Sequence, residues 1–210
     1  RSTLFPYTTL FRSSYYNYYA YNNTYFPTTI LNGGEIHGGN TSYPCVDNAG
    51  GTFIMNNGTI TIAGMTGISS GTSYGRNEEL YINGGVISDE GLTTNTINTI
   101  AGSKGKIIIT GGTFNLSNDN ANVININGQD TVTVTGGTFA ATGANDIIFK
   151  GAGNGAVFTI SDATLNAAAM FNLGSGDSCV VSGGKFTATD DMFTNAGKLT
   201  LNGGVFTQSS

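Results

Sequence analysis

Thirteen carboxylates, eight Lys and Arg, one histidine and two cysteines carry most of the reactive chemistry of this 210-residue chain. Two carboxyl groups held about 5 to 9.5 Å apart can cleave a glycosidic bond, one as acid and one as base or nucleophile. Asp146 with Asp190 or Asp191 is the pair whose placement suits that reaction, although solvated loop acids explain the same residues. The acidic doublets Glu78-Glu79 and Asp89-Glu90 could hold a hard cation such as Ca2+, which takes its ligands from oxygen. They too read simply as solvated charge. His37 is the only histidine, and with no nucleophile in view it reads as a surface residue. Tyr74 and Tyr81 offer flat ring faces for stacking a sugar. Six of the ten tyrosines crowd residues 14–28, a stretch that reads either as such a platform or as a cap over an open core.

The composition removes several classes of function. Only 10% of residues are charged, while Gly reaches 32 of 210. That balance suits neither a coiled coil nor an acidic disordered tail. No run approaches the roughly 18 apolar residues of a membrane-spanning helix. A net charge of −5 lacks the basic stripe that phosphate backbones require, so nucleic acid is not an expected partner.

An internal repeat decides what must position these residues. A short apolar strand, a polar residue, a Gly pair, one variable residue and an apolar anchor recur eight times. The copies are Leu31–Ile36, Met55–Ile60, Ile82–Ile87, Ile109–Phe114, Val134–Phe139, Ile160–Leu165, Val181–Phe186 and Leu201–Phe206. Between successive second-Gly positions lie 24, 27, 27, 25, 26, 21 and 20 residues. Self-similarity at such a period is the mark of a solenoid, in which stacked units share one core. Apolar residues alternate along the strand before each Gly pair, as a strand with one buried face requires. A further apolar patch closed by Gly, such as Val123–Gly128, adds a third strand per repeat. The first Gly of the pair is replaced only by Asn57 and Asp162, residue types that tolerate the left-handed region. A positive φ is therefore expected at that first position.

The expectation is an all-β fold, a single right-handed parallel β-helix of about eight coils over residues 29–210. The polar column Asn32, Asn56, Asn83, Thr110, Thr135, Ser161, Ser182 and Asn202 should stack coil upon coil and bond along its length. Such a column could also face sugars or ice, but coils varying between 20 and 27 residues are expected to spoil a regular lattice. At about 4.8 Å per coil, Asp146 and Asp190 lie about 9.6 Å apart. The outward positions of the first strand (Ile30, Ile54, Tyr81, Ile108, Thr133, Thr159, Val180, Thr200) include no acid. Glu79 beside Lys106 is the one charge contact expected there. Cys45 and Cys179 fall six coils and roughly 29 Å apart, beyond the reach of a disulfide.

The xGGxF copies resemble the right-handed parallel β-helix repeats of bacterial secreted and cell-surface proteins, the pectin-lyase-like solenoids and adhesin-like arrays. The resemblance implies a non-catalytic stalk or interaction surface, with a polysaccharide lyase, glycoside hydrolase or glycan-binding module as the alternative. It also implies an extracellular or surface location, polysaccharide or cell-surface glycan as partner, and further coils of the same protein beyond Ser210. No cofactor is expected, Ca2+ being the one ion the alternative would need. Residues 3–13 resemble an in-frame translated sequencing adapter and are set aside from fold reasoning. Without Arg1 and Arg12 the formal charge moves from −5 to −7. The expected organisation is thus 1–13 as artefact, 14–28 as lead-in or cap, and 29–210 as solenoid, cut short at its C-terminus.

Overall fold

The computed structural model describes residues 28–38, 42–48, 50–71, 78–91 and 96–209. The tyrosine-rich lead-in, the adapter-like segment and Tyr74 lie outside them.

Three parallel sheets of eight, eight and seven strands run the length of a β-solenoid. Each of the first seven coils contributes one strand to each sheet, and the eighth contributes Lys198–Leu201 and Val205–Gln208 to the first two. The third coil, for example, places Glu78–Ile82 in the first sheet, Val86–Asp89 in the second and Ile97–Gly102 in the third. Every strand pairs with its counterparts one coil before and after, because parallel neighbours in a solenoid are a full coil apart in sequence. The register is residue for residue in the first two sheets: Ile107 lies between Leu80 and Val132, and Phe114 between Ile87 and Phe139. The variation in coil length is therefore absorbed outside these strands, and the second-sheet face stays regular. Among the described residues, no helix is long and apolar enough to cross a membrane.

Alternation along each strand sorts the side chains. Phe53, Leu80, Ile107, Val132, Phe158 and Cys179 point inward and are buried, while Ile30, Thr159 and Val180 on the opposite face are exposed. Anchors after the Gly pair, together with Phe149 and Phe171 of the third sheet, build an aromatic spine. Phe114 stacks on Phe139 at 4.5 Å between ring centres, Phe149 on Phe171 at 5.4 Å, and Phe186 on Phe206 at 4.5 Å. Offset stacking of this kind adds about 0.5–1.5 kcal/mol per pair to simple burial.

The Gly pair differs from expectation in an instructive way. Positive φ falls on the second glycine, at Gly34, Gly58, Gly85, Gly112, Gly137, Gly184 and Gly204, and not on the first. The first glycine answers a different demand. A Cβ on Gly84, Gly111 or Gly136 would sit 2.4–2.6 Å from the carbonyl oxygen of Asn56, Asn83 or Thr110, one coil away. At Gly84, Gly111 and Gly136 the first position leaves no room for a side chain, whereas the second takes the left-handed backbone. Asn57 and Asp162 occupy the first position with their side chains exposed to solvent.

The polar column forms a side-chain ladder over its first half. Asn56 Nδ2 donates to Asn32 Oδ1 at 2.8 Å, Asn83 Nδ2 to Asn56 Oδ1 at 2.9 Å, and Thr110 Oγ1 to Asn83 Oδ1 at 3.0 Å. Beyond it stand Thr135, Ser161 and Ser182, whose short hydroxyls cannot bridge a coil spacing of about 4.8 Å to one another. Ser182 Oγ turns instead to the Ile160 carbonyl at 3.3 Å.

Both cysteines are buried free thiols. Burial pushes Cys45 up to about 11 and Cys179 up to about 12, so neither forms appreciable thiolate at neutral pH. A chromogenic disulfide reagent should find no reactive thiol in the native protein and two after denaturation. Fast native labelling of either would contradict the packing described.

Candidate functional site

The fate of the acids defines the candidate site. Asp146 has no exposed surface. Its Oδ1 accepts from the Ala121 amide at 2.6 Å, and its Oδ2 from the Gly143 amide at 2.7 Å. Burial pushes this carboxyl above its ordinary range, and the two amides pull it part of the way back. Asp190 and Asp191, by contrast, are exposed. The three do not form a facing pair across an open cleft, because the first is buried in a coil corner.

Two more aspartates hold coils in the same manner. Asp89 accepts from the Gly91, Ser117 and Asn118 amides at 2.9–3.1 Å and from the Ser117 hydroxyl at 2.8 Å. Asp177, 2% exposed, accepts from the amides of Gly153, Gly155, Ala156 and Gly174 at 2.8–3.1 Å. Each carboxylate reaches corner amides of a neighbouring coil, and among these donors the Gly174 amide also bonds the Gly151 carbonyl. Charge-assisted bonds to such amides are about twice as strong as neutral ones. Sequence reading left Asp177 out altogether.

Strand register reveals a column that the linear sequence hides. Gly51, Glu78, Gly105, Asp130, Ala156, Asp177 and Gly197 stack at the entry to the first sheet. Acids alternate with Gly or Ala, one acid every second coil. Glu78 and Asp130 are completely buried. Aligning the coils on their strands would have exposed this alternation, whereas the Gly-pair motif, which sits past the strand, did not.

The acidic doublets consequently split. Glu78 points inward, and Glu79 accepts from the Tyr81 hydroxyl at 3.1 Å. Glu79 and Lys106 are register partners as expected, yet the ammonium lies 5.8 Å from the centre of the Tyr81 ring and makes no ion pair with the carboxylate. Cation–π attraction at an exposed site is worth about 0.5–1 kcal/mol, comparable with the surface pair it replaces. Glu90 pairs with the exposed His37, so that histidine links the first coil to the third. Among the described residues no group of three or more His, Cys, Asp and Glu is arranged to hold a metal.

On the outer face of the third sheet lies an open depression of about 280 Å³, whose lining includes Tyr43, Pro44, Met65, Ser69 and Asn98. Tyr43 is 65% exposed. Asn98 Oδ1 accepts from Asn122 Nδ2 at 3.1 Å and from Asn125 Nδ2 at 2.8 Å, which fixes the orientation of its amide. The second sheet presents a different surface. From the second to the sixth coil its outward residues are Thr59, Thr61, Val86, Ser88, Thr113, Asn115, Thr138, Ala140, Thr164 and Asn166, none of them charged.

Comparison with known protein families, curated proteins and solved structures finds no match for this chain.

Proposed function

We propose that this chain is a non-catalytic rod segment of a bacterial secreted or surface protein, adhesin-like, whose flat flank serves as an interaction surface. The observation that carries this reading is the second-sheet face, where ten short uncharged side chains stand in unbroken register over five coils. A flat, weakly charged array of hydroxyl, amide and methyl groups suits contact with an extended partner through many small interactions. The amide-bound aspartates support the same reading: half-buried Asp89 and buried Asp146 and Asp177 bind backbone amides of the rod itself.

A second reading, glycan binding, is favoured by the third-sheet depression. Tyr43 offers a ring face and Asn98 a pre-oriented amide, the combination of apolar plane and fixed polar group that small polar ligands need. A polysaccharide lyase or hydrolase of pectin-lyase-like type would need acids at an open cleft, and of the three candidate acids only Asp190 and Asp191 are exposed.

The test is binding of the protein to a panel of immobilised pectic, algal and mucosal glycans, alongside release of reducing ends and unsaturated uronates with and without Ca2+. The rod reading expects retention on at least one surface, no turnover, and loss of retention when Thr138→Lys and Thr164→Lys place charge on the flat face. Retention lost in Tyr43→Ala and kept in the lysine variant would move the site to the depression. Turnover that disappears in Asp190→Asn would refute the non-catalytic reading.

A further inference from the structure

The acid column contains a contrast that calls for explanation. Asp177 and Asp130 occupy the same position two coils apart, and both are buried. The carboxylate of Asp177 sits among four amide donors, whereas neither oxygen of Asp130 has a hydrogen-bond partner on another residue. An ionised carboxylate in that setting carries the full cost of desolvation.

We infer that the native fold carries Asp130 as a neutral carboxyl group in weak acid and must ionise it, still buried, in weak alkali, which makes the seam between the third and fifth coils a proton-dependent lock.

The surroundings of Asp130 supply no compensating cation among the described residues. From the third coil the group that faces it is Glu78, whose negative charge disfavours ionisation. The fourth coil contributes Gly105 in register, and the end of the third coil contributes Gly102, whose Cα–H side lies against the carboxylate: a Cβ there would be 3.1 Å from Asp130 Oδ2. Lys104 and Lys106, on either side of Gly105, are exposed, the latter over Tyr81. The sixth coil contributes Ala156, and Asp177 of the seventh is satisfied by its own amides. Burial first, and Glu78 second, push Asp130 up to about 7 against the opposing pull of its own backbone amide.

A carboxyl whose folded value lies above its unfolded one stabilises the fold fully below the unfolded value of about 3.8 and loses that contribution as pH rises through about 7. The shift corresponds to a folded-to-unfolded ratio changing on the order of a thousandfold across that window. Asp146, raised in the same direction, adds to the trend.

Thermal unfolding at pH 5 and pH 8.5 in the presence of a chelator tests this directly. The wild-type Tm should fall by on the order of 10 °C between the two. Asp130→Asn, neutral at every pH and nearly isosteric, should lose most of that slope and melt above wild type at pH 8.5. A wild-type profile that is flat or rises with pH, or an Asp130→Asn profile as steep as wild type, would overturn the inference. So would a Tm increase with millimolar Ca2+ at pH 8.5 that Asp130→Asn lacks, since the compensating charge would then be a metal ion. Should the variant not fold, amide exchange at Ile107 and Val132 of the wild type decides. Protection corrected for intrinsic base catalysis should fall from pH 5 to 8.5, and constant protection would refute the lock.

Discussion

Gly128→Ala is expected to be the most damaging single methyl that can be added to this rod, costing more than about 3 kcal/mol. Its Cβ would lie 1.6 Å from the Ser103 carbonyl oxygen and 2.5 Å from the Ser103 carbonyl carbon. Neither backbone can yield easily, because the Gln129 amide donates to Ser103 O at 3.1 Å and the Asn127 amide to Gly102 O at 2.8 Å. Separating the coils to make room would break both. Two controls distinguish the steric demand from the dihedral one. Gly33→Ala meets nothing within 4 Å and its φ is not positive, so its effect should stay within about 0.5 kcal/mol. Gly34→Ala also meets open space, but at φ 85 it should cost about 1–2 kcal/mol through the backbone alone. Chemical denaturation of the three variants gives the ranking. Equal effects for Gly128→Ala and Gly33→Ala would contradict close coil stacking.

The second large effect is expected at Asp177. Truncation to Ala strips an acceptor from the amides of Gly153, Gly155, Ala156 and Gly174 at once. The Ala156 amide is buried, the Gly153 and Gly155 amides are part-buried, and the Gly174 amide keeps the Gly151 carbonyl at 3.1 Å. A buried donor left without a partner costs about 1–3 kcal/mol, less where water can enter. A loss of about 3–5 kcal/mol is the reasonable scale, since such terms do not add. Asp177→Asn keeps one acceptor oxygen but turns an NH2 toward donors, so it should be damaging as well, and at every pH from 5 to 8.5. This is opposite in sign at high pH to Asp130→Asn, two coils away in the same column. The same substitution thus distinguishes a carboxylate held by amides from one held by a proton. If both variants were stabilising at high pH, the four-amide cradle would be refuted.

The architecture was legible because its signal is repeated eight times. Each copy of the Gly pair marks one corner, and the residues around it sort into inward and outward columns by simple alternation. Leu80, Ile107 and Val132 were readable as core from that pattern alone. The roles of the two glycines were not separable, because Gly satisfies both a forbidden Cβ and a left-handed φ, and the sequence shows Gly for either reason. The acids were misjudged for a different cause. Asp146 looks like a solvated loop residue in one dimension; the Gly143 amide is local to its own turn, but the Ala121 amide of the preceding coil reaches it only when coils stack. Glu78, Asp130 and Asp177 share a column only in the strand register, where variable loops no longer obscure the spacing. Lys106 was placed beside Glu79 correctly, but Tyr81 competes for both groups, its hydroxyl holding the carboxylate and its ring lying under the ammonium.

The in-register stacking of coils underlies every assignment made above, from the flat second-sheet face to the acid column. Paired cysteines on that face test it most directly, at sites away from the two buried native thiols. Thr113 and Thr138 are register partners, as are Thr138 and Thr164. Adjacent coils hold their Cα atoms about 4.8 Å apart, inside the roughly 4.4–6.8 Å window of a disulfide. Thr113→Cys with Thr138→Cys should therefore cross-link within the monomer on mild oxidation, as should Thr138→Cys with Thr164→Cys. Thr113→Cys with Thr164→Cys, two coils and about 9.6 Å apart, should stay reduced. Cross-linking of that third pair with failure of the first two would contradict the coil register, and with it the placement of the interaction face and of Asp130.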